Sequence, residues 1–218
     1  MYEYLLLVII FGIIIYCVSS YLSKQQKSTF IPVVDCGITY QVTKTQDGEQ
    51  DKEVARVLCR VNKSCKRLIK YLNYKYGQYD PRVKLLVKEY DDEDLVENQK
   101  ETFVLDKGVK IHLCVRSKTY PNKIYDLNLL MFVVLHELAH IVTISIGHDD
   151  TFWKNNVWLM REASLAGVFT NTDYSRFPQE YCGLTIDNNP SFNEDLQRDI
   201  GNKQLQEDIR DKKLMSGN

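Results

Sequence analysis

The chain has 218 residues, 44% of them apolar, and its 28 Lys and Arg against 29 Asp and Glu leave a formal net charge of −1. That balance excludes the strong positive field of a nucleic-acid-binding surface, and the apolar content excludes a disordered chain. No repeat or low-complexity tract is present, and after an apolar N-terminal stretch about 190 residues remain, enough for one domain with its own core.

In chain order, residues 4–22 carry no charge and are dominated by Leu, Ile and Val. At about 1.5 Å per helical residue they match the hydrocarbon thickness of a bilayer. Glu3 precedes the run and Lys24 and Lys27 follow it, the reverse of a cleavable signal peptide, so a transmembrane anchor is expected. The flanking lysines direct the C-terminal side to the cytoplasm. The expectation is a single-pass membrane protein with a cytosolic catalytic domain.

Residues 30–42 read as a strand region and 44–52 as a charged turn. Residues 53–76 form an amphipathic helix whose apolar face carries Val54, Val57, Leu58, Val61, Cys65, Leu68, Ile69 and Leu72. Its basic face, with Arg56, Arg60, Lys63, Arg67 and Lys70, is a solvated surface or else a contact for anionic lipid or nucleic acid. Tyr71, Tyr74, Tyr76 and Tyr79 cluster near the helix end and are expected in the core. The acidic run 91–94 offsets the basic face. Residues 109–116 alternate with period two, which places Val109, Ile111, Leu113 and Val115 inward on a half-buried strand. Such a strand is either plainly structural or an edge that pairs with an extended substrate.

His136-Glu137-Leu138-Ala139-His140 forms the H-E-x-x-H pattern, in which two histidines four apart on a helix face one cation. Glu137 beside them is placed to take a proton from water that the metal acidifies. The surrounding stretch, 126–146, is apolar on nearly every side, so its helix is buried, and a divalent cation offsets the desolvation of the ionisable groups it carries. Asp126 or Asn128 is the N-cap and Gly147 the helix stop. Asp149 and Asp150 then cap a second helix through Phe152, Trp153, Val157, Trp158 and Met160.

The Gly147-His148 turn offers His148 as the third zinc ligand, with a fourth position left for water as catalytic sites require. Glu162 on the second helix is the rival third ligand and Cys182 a weaker one. The chain holds four histidines in all, so alternative imidazoles are few. Its six cysteines, Cys17 among the apolar residues and Cys36, Cys59, Cys65, Cys114 and Cys182 scattered beyond them, lack pair spacing, which argues against a disulfide framework and suits a reducing compartment. Asn62-Lys63-Ser64 is a glycosylation sequon that reports on orientation if used. Beyond Asn193 the chain is charged, a tail or exposed helix able to recruit a partner.

Residues 108–116, the segment Val134-Leu135-His136-Glu137-Leu138-Ala139-His140 and the segment Gly147-His148-Asp149-Asp150-Thr151-Phe152-Trp153 together resemble the WLM family of zinc metalloproteases, related to SprT-like proteases. The likeness covers roughly residues 100–185 and implies a minimal zincin in which His136, His140 and His148 bind zinc and Glu137 is the general base. The interval between His140 and His148 is longer than in the WLM pattern and shorter than in the SprT-like one. Asp173-Tyr174-Ser175 with Pro178 and Tyr181-Cys182-Gly183 resembles WLM-like proteins of large DNA viruses. Tyr174 and Tyr181 are packing tyrosines or donors to a developing oxyanion.

The expected fold is therefore α+β, a minimal zincin-like domain with a small mixed sheet packed on an active-site helix. Residues 1–27 form the anchor and linker, 28–192 the metalloprotease domain and 193–218 the charged tail. The expected function is zinc-dependent endopeptidase activity on a protein or peptide substrate, with Zn2+ as cofactor and no strong nucleic-acid signal. The alternatives are a membrane-tethered zinc-binding interaction module without protease activity and an intramembrane metalloprotease.

Overall fold

The computed structural model describes residues 28–33, 36–91, 95–98, 102–105, 110–120, 122–194 and 198. The expected anchor at residues 4–22 and nearly all of the expected tail lie outside these. Among the described residues no helix is long and apolar enough to cross a membrane.

The expected first strand is a hairpin of two, β1 (Ser28–Val33) and β2 (Ile38–Thr43), antiparallel in the register Ser28↔Thr43 to Val33↔Ile38. Gly37 at φ +67° supplies the left-handed residue that its tight turn needs. Helix α1 (Gly48–Tyr76) begins inside the expected charged turn because the Asp47 carboxylate caps it, accepting from the Glu49 and Gln50 amides. Val54, Leu58, Val61, Cys65, Leu68 and Leu72 are buried, and the five basic residues of the opposite face are exposed. The tyrosines depart from expectation. Tyr74 and Tyr79 are almost fully exposed, and only Tyr71 and Tyr76 pack against the core. Asn62 of the sequon is buried, donating to Tyr40 Oη at 2.9 Å and accepting from Tyr90 Oη at 2.8 Å, so its amide is closed to glycosylation.

Helix α2 (Pro81–Glu89), capped by Asp80, leads to a three-stranded mixed sheet of β3 (Leu95–Glu97), β4 (Phe103–Leu105) and β5 (Lys110–Leu113). Their order is β3-β5-β4, with β3 parallel and β4 antiparallel to β5. Ile111, Leu113 and Val115 face inward as the alternation requires, but Cys114 and Arg116 on the expected outer side are buried as well. Arg116 Nη2 meets Asp51 Oδ1 at 2.8 Å and its Nε lies 3.2 Å from Glu97 Oε1, an enclosed ionic cluster that ties α1 to the sheet. Burial pushes the Glu97 carboxyl up to about 7 despite the guanidinium beside it.

Helix α3 (Leu127–Val142) crosses the centre of the core and packs on α4 (Asp150–Leu165), α2 and α1. Asp126 caps α3 and Asp149 caps α4, each carboxylate accepting an amide proton three residues on. Contrary to the expectation of a stop at Gly147, α3 ends at Val142. Thr143 bonds back to Ala139 O, and Ile144 and Ile146 are 81% and 92% exposed. A final hairpin, β6 (Gln179–Tyr181) and β7 (Leu184–Ile186), completes an α+β architecture that comprises, among the described residues, four α-helices and small sheets.

The reading of unpaired cysteines is overturned. Cys36 pairs with Cys59, joining the first hairpin to α1, and Cys114 pairs with Cys182, joining the end of β5 to the last hairpin. Sequence separations of 23 and 68 carry no local signature, which is why inspection of spacing misses them.

Candidate metal centre

The site is assembled from one helix and the turn that follows it. His136 and His140 lie one turn apart on α3 with ring centroids 5.1 Å apart. After α3 ends, the chain doubles back through Gly147, whose φ of +90° is open to glycine and strained for other residues. This brings His148 Nε2 to 3.0 Å from His136 Nε2. One nitrogen from each of the three rings lies within 4.8 Å of the others.

The first turn of α4 packs this arrangement in place. The Phe152 ring sits 4.9, 4.4 and 4.6 Å from the rings of His136, His140 and His148, and Trp153 stacks on His148. Capping by Asp149 therefore has a consequence for the site, since it fixes where α4 begins and so where these two aromatic rings stand.

The electrostatics favour ligation. Burial, with the neighbouring imidazoles adding to it, lowers His136 to about 4, and burial with the charge of His148 lowers His140. At neutral pH both rings keep a free lone pair, the form that binds a metal. Glu137 is 6% exposed, and burial pushes its carboxyl up to about 7, opposed by a hydrogen bond from the Val104 amide. A carboxylate poised near neutrality is suited to both accepting and returning a proton. Three imidazoles with an adjacent carboxylate make the donor set of a catalytic zinc site, so the residues present fit that ion.

Of the two readings of the 109–116 strand, plainly structural or substrate-pairing edge, the sheet order favours the first. β5 is central, flanked on both sides, and among the described residues β4 forms the sheet edge, which borders the site. Thr102, Phe103 and Val104 line a cleft of about 520 Å³ together with Glu137, the three histidines and the exposed turn at Ile146. The last hairpin anchors this edge. Thr102 Oγ1 is 2.6 Å from Tyr181 Oη and accepts the Cys114 amide at 2.9 Å, while the Cys182 amide donates to Tyr125 Oη at 2.7 Å. Thr102 and β4 went unnoticed in the sequence, because three residues give too short an alternation to register.

The rival ligands stand elsewhere. Glu162 is fully buried, accepting from Lys75 Nζ at 2.7 Å and Tyr76 Oη at 3.0 Å, and Cys182 is paired with Cys114. Tyr174 is buried edge-on against Phe132, and Tyr181 directs its hydroxyl to Thr102.

A family model described as the WLM domain matches residues 96–212, which is more than half of the chain and includes all three histidines. The chain belongs to the WLM domain family. Among its relatives, an uncharacterized protein of Acanthamoeba polyphaga mimivirus, R325, is 32% identical over 194 residues, covering 86% of this chain and 98% of the relative. Uncharacterized protein 042R of Invertebrate iridescent virus 3 is 44% identical over 93 residues, 41% of this chain and 54% of that one. Uncharacterized protein 136R of Invertebrate iridescent virus 6 is 34% identical over 83 residues, 38% of this chain and 45% of that one. This WLM domain protein matches no solved structure.

Proposed function

We propose that this WLM domain protein is a zinc-dependent endopeptidase with a zincin-like domain, in which His136, His140 and His148 hold the metal and Glu137 is the general base. The observation that carries the reading is the convergence of three imidazole nitrogens within 4.8 Å beside a buried carboxylate on the same helix. Zinc held there supplies Lewis acidity that brings the pKa of water toward neutrality and polarises a carbonyl.

The chain's own groups do the rest. β4 has no strand partner on its outer side among the described residues, so its backbone is available to bind an extended peptide by strand addition. The Tyr181–Thr102 contact and the Cys114–Cys182 link fix the start of that strand relative to α3. Glu137, oriented by the Val104 amide of the same strand, takes a proton from the attacking water at its carboxylate and returns it to the departing amine. A purely structural metal site has no use for a carboxylate so placed.

Residues 4–22 anchor the protein in a membrane in this reading, on the strength of their composition. The two cysteine pairs favour an oxidising compartment for the domain over the cytosolic side indicated by Lys24 and Lys27.

The test is cleavage of a peptide library by the zinc-loaded full-length protein in detergent, followed by mass spectrometry of new N-termini. Cleavage by the wild type, abolished by a chelator and in Glu137→Gln, supports the reading. Products made equally by Glu137→Gln contradict it.

A further inference from the structure

The turn between α3 and α4 carries His148 and exposes two large apolar side chains, Ile144 at 81% and Ile146 at 92%. Its shape is held by side chains. Thr143 Oγ1, buried at its start, donates to Ala139 O at 2.6 Å and accepts from Asn155 Nδ2 at 3.0 Å. The Ser145 hydroxyl bonds to the Asp149 carboxylate, and that carboxylate accepts the Phe152 amide at 2.9 Å where the turn ends. Ile146 therefore stands in water on a braced turn. A lone exposed isoleucine needs no explanation, but one that continues an apolar lining at a candidate active site marks a surface for a ligand.

Such a lining is present. Ile146 borders the cleft of about 520 Å³ at the metal centre together with Phe103 and Val104 of β4, both of them half-buried and so partly open to a ligand. The Phe103 ring stacks on His112 at a centroid distance of 4.4 Å, which fixes its position. Apart from Glu137 and the three histidines, no lining residue is ionisable. A charged substrate side chain entering here finds no counter-ion beyond the groups that hold the metal and move the proton, whereas an apolar one meets apolar side chains from two different elements.

We infer that Phe103, Val104 and Ile146 form a subsite for a large apolar side chain, of the leucine, methionine or phenylalanine class, on a substrate residue beside the scissile bond. The inference rests on the endopeptidase reading and adds the substrate class. Ile146 is the specificity-determining residue, because nearly all of its surface is free to be covered. A large apolar side chain laid against it removes apolar surface of both partners from water, and a short or polar side chain forgoes that gain. The same turn presents His148 to the metal, so a substrate residue that covers Ile146 is held next to the reacting carbonyl.

The experiment measures kcat/KM of zinc-loaded full-length wild type, Ile146→Ser and Ile146→Leu on peptides that differ only in Leu, Ser or Lys at a position flanking the cleaved bond. Binding of the same peptides, dye-labelled, to Glu137→Gln with and without Ile146→Ser is read in parallel by fluorescence anisotropy. The expected result in wild type is a preference of at least about tenfold for Leu over Ser and Lys at one flanking position. That preference should fall several-fold in Ile146→Ser and persist in Ile146→Leu. Zinc content and melting temperature should not change, since the side chain is exposed; a structural isoleucine would lower the melt and leave the preference alone. Cleavage without preference for Leu, or a preference that survives Ile146→Ser, overturns the subsite and leaves the endopeptidase reading standing. A change of oligomeric state in Ile146→Ser by analytical ultracentrifugation, with the preference intact, also overturns it and assigns the turn to a second copy of the chain. Leu-selective binding that Ile146→Ser removes, without any cleavage by wild type, upholds the subsite and removes the endopeptidase reading. Neither binding nor cleavage of the Leu peptides overturns both.

Discussion

Replacing Glu162 separates a structural carboxylate from a metal ligand. Its side chain is wholly buried and accepts from Lys75 Nζ at 2.7 Å and Tyr76 Oη at 3.0 Å, which ties α4 to the end of α1. Removing one partner of a buried ion pair costs about 3–5 kcal/mol. The Lys75 side chain is 34% exposed and regains water when its partner goes, so Glu162→Ala belongs at the lower end, about 3 kcal/mol. For a domain of this size that lowers the melting temperature by roughly 6–12 °C. Glu162→Gln keeps an acceptor for Tyr76 and loses the charge, and should fall by about half as much. Thermal denaturation followed by circular dichroism measures the shift, and elemental mass spectrometry on the same samples measures zinc. Both variants should bind zinc as the wild type does. A folded Glu162→Ala protein that has lost its zinc, or one that melts with the wild type, refutes this reasoning.

Further perturbations have equally definite outcomes. Cys114→Ser or Cys182→Ser opens a link spanning 68 residues, and the chain-entropy cost of about 4 kcal/mol should appear as a lowered melt, which reductant, opening Cys36–Cys59 as well, should lower further in the wild type. Arg116→Ala leaves Asp51 and Glu97 as facing buried carboxylates; the loss should be about 3–5 kcal/mol at pH 8. Without the guanidinium, which lowers it, the Glu97 carboxyl that burial already holds up at about 7 rises further above its unfolded value, so denaturant titrations should show part of that stability returning as pH falls toward 5. Asn62→Ala breaks the Tyr40 and Tyr90 bonds and should lower stability by about 1–3 kcal/mol, while the wild type made in a glycosylating host should carry no glycan at Asn62 by intact mass.

What could be read from sequence is what is local. His136, Glu137 and His140 are legible because their spacing matches a helical turn, and Asp126 and Asp149 because a cap acts within three residues of itself. Gly147-His148 signalled a sharp turn correctly, but hydropathy carried α3 four residues too far. Ile144 and Ile146 look like core residues, and only the tertiary structure shows both exposed after α3, with Ile146 lining the cleft at the metal centre. Distant pairings were not legible: the cysteine links, the Glu162–Lys75 pair across 86 intervening residues' worth of chain folding, and the closure of the Asn62 sequon by two tyrosines all depend on which elements meet. β4 escaped for a different reason, its three residues being shorter than any periodicity can resolve.

The measurement that bears most directly on the central claim is zinc K-edge X-ray absorption of the full-length protein beside His148→Ala. The expected result is about one zinc per chain in a shell of nitrogen and oxygen at about 2.0–2.1 Å, with imidazole scattering from three rings in the wild type and a clear loss of one in His148→Ala. A sulfur shell near about 2.3 Å, or a spectrum untouched by the loss of His148, would contradict it.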